Sequence, residues 1–266
     1  MRTGHVLGVD PGGVMETVRS PDGTEIAFQR SGEGPMLVLI VGAFNDRAST
    51  NTLASGLSDA FTVYEYDRRG RGNSGDTPPY SVRREVEDLA AVIEAAGEPA
   101  FVFGHSSGAA LALEAAATAV PIRALAVYEP PYTGRPNMAF AERLEKLVGE
   151  GELSEAAATF LELLGTPPSA VQQMKEAPHW AHMEKFAPSL SYEIRLCNDG
   201  ELPVDRLANI DVPTLALAGE TSPPWAKERA RALARIVRNG QARVLQGQSH
   251  RVADDVLIPL LKEFFL

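Results

Sequence analysis

Cysteine is nearly missing from this chain: Cys197 stands alone among 266 residues. An intrachain disulfide cannot form, and neither a disulfide scaffold nor a cysteine-based zinc cluster can be assembled, so a reducing compartment is expected. Long apolar runs are also missing. No stretch reaches the roughly 18 apolar residues of a membrane span, and residues 1–14 hold Gly, Asp and Pro where a signal peptide would be apolar. We therefore expect a cytoplasmic protein with a loose leader over residues 1–14 and no membrane partner. Positive charge is in short supply as well, because 25 Lys and Arg face 35 Asp and Glu, a net charge of −10. That balance repels nucleic acid. The densest basic stretch, Asp67-Arg68-Arg69-Gly70-Arg71, is short and is read as a charged turn beside a sheet edge.

The remaining composition is that of an ordinary globular protein, with 44% hydrophobic and 23% charged residues. A chain of this length suits one α/β domain carrying an insertion. Residues 15–20 and 24–30 flank Pro21-Asp22-Gly23, a turn tripeptide, and predict a hairpin at one edge of a sheet. The continuous apolar run 36–41 is too short for a helix and rich in branched residues, which suits a strand covered on both faces. Strands at 61–66, 100–104 and 124–128 then alternate with helices over 82–96 and 107–118, the rhythm of a parallel sheet. From 136 to 206 only helical patterns appear, including 139–148 and 154–164, so this segment is expected to be a helical cap. The alternation resumes with a strand at 212–218, a helix over 226–237, a strand at 243–245 and a final helix over 253–265. The core is thus expected at 15–135 and 207–266.

Gly104-His105-Ser106-Ser107-Gly108 has the form Gly-x-Ser-x-Gly between a strand and a helix, the setting of a nucleophile elbow. The glycines leave room for a strained central residue whose side chain projects from the turn. Ser106 is the expected nucleophile. Its base is expected to be His250, in the loop between the last strand and the last helix, because a serine hydroxyl needs a base to react. His179 and His182 are three positions apart in the insertion and could share one helix face, but no carboxylate motif or third ligand accompanies them and no metal site is expected.

In this order, five motifs give the chain its likeness: Leu39-Ile40-Val41-Gly42, Tyr66 to Ser74, Gly104 to Gly108, Val212 to Glu220, and Ser249-His250. With them the chain resembles the α/β-hydrolase family from about residue 15 to the end. The resemblance implies an eight-stranded, mostly parallel sheet with helices on both faces, a helical cap inserted after strand six, and an active site between cap and sheet. By motif position it also implies an oxyanion hole made by the backbone N–H groups of Ala43 and Ser107. Asn45 either adds a contact there or shapes the loop. Two departures stand out. The usual His-Gly after strand three is Val41-Gly42 here, and no aspartate follows strand seven, where Ser222 takes the matching place. Similar haloalkane dehalogenases carry their acid after strand six, which points to Glu129 as the triad acid, with Glu220 as the alternative.

The expected function is that of a cofactor-free serine hydrolase acting on a small, apolar ester, thioester or lactone. Two alternatives stay open at this stage: a C–C bond hydrolase or lyase using the same residues, and a ligand receptor or pseudoenzyme with little turnover. A small-molecule substrate is the expected partner, and a homodimer is compatible with the sequence.

Overall fold

The structure, a computed structural model, describes residues 14–135 and 138–266. Residues 1–13 of the expected leader, and Pro136 and Asn137 at the expected start of the insertion, lie outside the described residues. Among those described, the strands are β1 (Glu16–Arg19), β2 (Glu25–Ser31), β3 (Met36–Ile40), β4 (Thr62–Tyr66), β5 (Ala100–His105), β6 (Ile122–Tyr128), β7 (Thr214–Gly219) and β8 (Gly240–Leu245). They form a single sheet in the order β1-β2-β4-β3-β5-β6-β7-β8. The β1–β2 and β2–β4 pairs are antiparallel, and every other neighbouring pair is parallel. The hairpin at the edge is closed as expected: Gly23 adopts φ 90°, and the Asp22 carboxylate accepts the Thr24 amide at 3.0 Å.

Among the described residues three α-helices precede the insertion: α1 (Asn51–Leu57), α2 (Val82–Ala96) and α3 (Ser107–Ala116). Between β6 and β7 come α4 (Met138–Gly149), α5 (Leu153–Leu163), α6 (Pro168–Lys175), α7 (Trp180–Glu184), α8 (Leu190–Leu196) and α9 (Val204–Leu207), and the chain ends with α10 (Pro224–Ile236) and α11 (Asp254–Phe265). The side-chain alternation of a strand explains how these helices split between two faces. Met36, Val38 and Ile40 of β3 pack in the layer of α2, α3 and α10, whereas Leu37 and Leu39 pack in the layer of α1 and α11. A strand buried on both sides must be apolar throughout, which is why 36–41 reads as an unbroken run.

The boundaries of α2 follow from its ends. The Ser81 side chain accepts the Arg84 amide, and Gly97 closes the helix at φ 75°. Helix α1 was not expected from the sequence. It is only two turns long and contains Gly56, which normally signals a break. At Gly56 the helix lies close to α11, where a Cβ would stand 2.2 Å from Ile258 Cδ1 and displace that side chain. Strand β8 starts three residues before the expected 243, because its edge position leaves Gln241 and Ala242 exposed and without an apolar signal.

The insertion has its own apolar cluster, with Phe160, Trp180, Phe186 and Leu190 at its centre, and Ala43 and Phe44 from the loop after β3 pack against it. No helix among the described residues is long and apolar enough to cross a membrane.

Candidate active site

Strand order reverses at β3, which has β4 on one side and β5 on the other. At such a reversal a crevice opens beyond the carboxyl ends of the strands. The loop after β3 and the turn after β5 meet there, since a Cβ built on Gly42 would stand 2.8 Å from the Ser106 Cβ. Glycine is required by that approach.

Ser106 joins β5 to α3 with φ 56° and ψ −125°, a conformation L side chains rarely adopt, and the turn throws its side chain clear. Backbone crowding explains the flanking glycines. A Cβ on Gly104 would lie 2.5 Å from the Gly108 carbonyl oxygen, and one on Gly108 would lie 2.3 Å from the Ile40 carbonyl oxygen. Gly108→Ala is expected to destabilise the protein by about 1–3 kcal/mol or more. Thermal denaturation measures this, and an unchanged melting temperature would refute the steric account.

Glu129 is the first residue after β6, and His250 lies between β8 and α11. The His250 Nδ1–H donates to Glu129 Oε2 at 2.7 Å, and Glu129 Oε1 accepts the Gly219 amide at 2.7 Å. A carboxylate only accepts, so the proton sits on Nδ1 and Nε2 is left as the basic nitrogen. Burial opposes ionisation of Glu129. The bond from His250, the neighbouring Ser222 hydroxyl and the Gly219 amide outweigh it and hold the carboxyl below the usual carboxylate range. Glu129 adopts φ 49°, a second non-glycine residue at this site in the left-handed region.

Two aromatic residues clamp the His250 loop at successive carbonyls. The Tyr128 hydroxyl donates to the Ser249 carbonyl at 2.5 Å, and the His105 Nε2–H donates to the His250 carbonyl at 2.8 Å. The His105 ring stacks on Tyr128 and lies 4.8 Å, centroid to centroid, from the His250 ring. Burial, reinforced by charge on His250, pushes the His105 imidazole down to about 4 against the opposite pull of its bond to the His250 carbonyl, so the ring is neutral at pH 7. Its contribution to stability is present above its ordinary value of 6.5 and is lost as pH falls toward 4. The clamp brings His250 beside the Ser106 turn. Among the described residues, no hydrogen bond joins the Ser106 hydroxyl to the His250 ring.

The expected oxyanion donors flank the same spot. The Ser107 amide opens α3, where first-turn amides have no intrahelical acceptor and the helix dipole is positive. The Ala43 amide shares its peptide group with the Gly42 carbonyl, which accepts Arg71 Nη1 at 2.8 Å. Asn45 Nδ2 donates to the Ala43 carbonyl at 2.6 Å, so the Asn45 side chain shapes this loop. Phe44, at φ 56°, turns its ring edgewise toward Phe160 and Phe186 of the insertion, with centroids 5.6 and 6.4 Å away.

The sequence model of the Alpha/beta hydrolase family matches residues 37–256. The chain belongs to the alpha/beta hydrolase family. An alpha/beta hydrolase from Sphaerobacter thermophilus is similar over 94% of this chain and 100% of its own, at 49% identity and a TM-score of 0.86. A thermophilic esterase from Thermogutta terrifontis shares the fold, with 21% identity, a TM-score of 0.71, and coverage of 94% of this chain and 97% of its own. N-formylmaleamate deformylase from Pseudomonas putida is 32% identical over 117 residues, which is 42% of this chain and 44% of that protein. The chain spans less than half the length of the curated relatives it matches.

Within this alpha/beta hydrolase the carboxylate that meets His250 comes from the end of β6. The Ser222 hydroxyl, in the strand-seven position, is buried beside that carboxylate but outside hydrogen-bond geometry. Glu220 is engaged elsewhere: its Oε2 accepts the Gly247 amide at 2.9 Å. Asp67 is fully buried and ties the loop after β4 to the loop after β3 by accepting the amides of Asn73 and Arg47 at 2.9 Å each. His182 packs edgewise on Phe186, and no group of three or more His, Cys, Asp or Glu among the described residues is placed to hold a metal ion. The His105–Tyr128 clamp was missed in the sequence. Its one signal was an aromatic ring directly before the elbow serine, and the pairing of that ring with residue 250 is a product of the sheet.

Proposed function

We propose that this chain is a serine hydrolase of small, largely apolar esters, thioesters or lactones, working through an acyl-enzyme on Ser106. The observation that carries the proposal is the His250–Glu129 hydrogen bond, held beside the strained strand-to-helix turn that carries Ser106. In the first step His250 Nε2 takes the hydroxyl proton while Ser106 Oγ bonds to the substrate carbonyl carbon. The Ala43 and Ser107 amides hold the negative oxygen, and Glu129 stabilises the imidazolium. Collapse breaks the bond to the leaving group, which takes the proton from His250. Water then repeats the sequence and releases the acid. The Ser106–His250 hydrogen bond forms in the substrate complex, where catalytic hydrogen bonds tighten.

An apolar acyl group is favoured by the surroundings of the oxyanion loop, where Ala43 and Phe44 meet the insertion's Phe160 and Phe186. We take the insertion to be a cap over the site. The two guanidiniums behind that loop, Arg68 and Arg71, are matched by Glu85 and Glu193, which leaves no net charge there to draw a carboxylate substrate. The test is exposure to a short-chain nitrophenyl ester and to a fluorophosphonate. Turnover together with one covalent adduct per chain, mapped to Ser106 by mass spectrometry, is the expected result. An adduct without turnover would identify a receptor-like protein, and no adduct would end the serine-hydrolase proposal.

A further inference from the structure

A buried ionic cluster behind the oxyanion loop joins the insertion to the core. Arg68 and Arg71 are 0% and 4% exposed. Arg68 Nε donates to Glu85 Oε1 at 2.5 Å, and its Nη1 donates to the Val41 carbonyl at 3.2 Å, the Ser107 hydroxyl at 3.3 Å and Glu193 Oε2 at 3.2 Å. Arg71 Nη2 is ion-paired with Glu193 Oε1, while its Nη1 donates to the Gly42 carbonyl at 2.8 Å and the Asn45 carbonyl at 3.4 Å. Glu193 itself is buried, and it belongs to α8 of the insertion. The same helix is seated on the core by Tyr192, whose ring stacks on Tyr80 at 4.0 Å and whose hydroxyl donates to Asp76 at 2.7 Å.

The Gly42 carbonyl and the Ala43 N–H are the two ends of one rigid peptide group. A charged donor on the carbonyl fixes the direction of the N–H and strengthens it as a donor, because hydrogen bonds in a chain polarise one another. Arg71 supplies that donor. Burying its charge beside Arg68 would be unfavourable without a carboxylate in contact, and Glu193 is the carboxylate that touches both. We propose that Glu193 is a positioning residue through which the seated insertion sets the Ala43 amide of the oxyanion hole; this rests on the serine-hydrolase function given above. An insertion lifted from the core carries Glu193 away from Arg71, so oxyanion binding is tied to closure.

Glu193→Gln removes the charge and keeps the size. Its kcat for a short-chain nitrophenyl ester is expected to fall by about tenfold or more with KM within about twofold, because the donor serves the transition state and not the bound ester. A trifluoromethyl ketone with the same acyl group, whose adduct puts an oxyanion in the hole, should weaken by the same factor. Amide hydrogen exchange over residues 41–46 should quicken while the melting temperature shows a folded protein. Glu193→Asp, which returns the charge, should recover part of kcat, and it carries the comparison if Glu193→Gln does not fold. Unchanged exchange over 41–46, or kcat lost with no loss of ketone affinity, overturns the proposal. If the wild-type protein shows no Ser106-dependent turnover, the hydrolase function fails, and the exchange measurement alone still decides the coupling.

Discussion

Ser106→Ala is expected to lower kcat/KM for a short-chain nitrophenyl ester by on the order of 10⁵-fold, close to 7 kcal/mol of transition-state stabilisation. The size of the effect follows from what the hydroxyl does and what its removal leaves behind. In the proposed mechanism it supplies the atom that bonds to the carbonyl, and no other hydroxyl stands on the elbow with the same projection. Ser107 lies on the helix side of the turn, with its hydroxyl accepting from Arg68. In the proposed mechanism the floor is set by the Ala43 and Ser107 amides, which would still bind a developing oxyanion when water attacks directly. Truncation to alanine keeps the Cβ that φ 56° already accommodates, so the melting temperature should stay close to that of the wild type. His250→Ala should fall to the same floor, and the double variant should fall no further, because residues that act as a unit are not additive. Additive losses in the double variant, or a loss below about tenfold in Ser106→Ala, would locate the chemistry elsewhere.

The elements that were legible in the sequence are those whose burial follows a simple period. Strand β3 could be read because it is apolar on both faces, and α2 because one stripe of it, Leu89, Val92 and Ile93, is buried. The elbow could be read because Gly104 to Gly108 is a contiguous pattern set between a strand and a helix, although the crowding that requires Gly108 comes from the Ile40 carbonyl of β3. The insertion was legible as helical, but α6 to α9 were not separable, since each is at most eight residues long and buries too few positions to show a stripe. What pattern cannot supply is a contact between distant residues. The placement of Glu129 was expected from a likeness to relatives that carry their acid after strand six, and its bond to His250 spans 121 positions. Arg71 and Glu193 are farther apart still, and Glu193 looks in the sequence like one more exposed charge on a short helix. Its burial depends on where the insertion sits. The basic stretch 67–71, read as a charged turn beside a sheet edge, instead follows the interior strand β4 and is buried at Asp67, Arg68, Arg69 and Arg71. Each of its arginines has a carboxylate partner supplied by another segment: Glu85 and Glu193 for Arg68, Asp88 for Arg69, and Glu193 for Arg71.

Glu129→Gln is expected to reduce kcat by about 10³- to 10⁴-fold, with little change in KM. Glu129 accepts two hydrogen bonds at once, from the Gly219 amide and from His250 Nδ1. A glutamine has one accepting oxygen and one donating NH₂ group, so one of these two partners must face a donor. The Gly219 amide is fixed in the backbone. His250 can respond by moving its proton to Nε2, and that tautomer cannot take the proton of Ser106. The charge that would stabilise the imidazolium is also gone. Ser222 offers a second check, because its buried hydroxyl lies beside this carboxylate from the strand-seven side. In the Glu129→Gln background, Ser222→Asp should restore kcat by about tenfold or more, whereas Glu220→Gln alone should cost less than about threefold, since Glu220 is spent on the Gly247 amide. The pH dependence has a definite sign. Glu129 is held below its ordinary value of 4.5, so the pair's contribution to stability is complete above about 4.5 and is lost as pH falls through the lowered value. Denaturation followed from pH 7 downward should show that loss in the wild type and not in Glu129→Gln. Activity retained by Glu129→Gln and abolished by Glu220→Gln would reassign the acid.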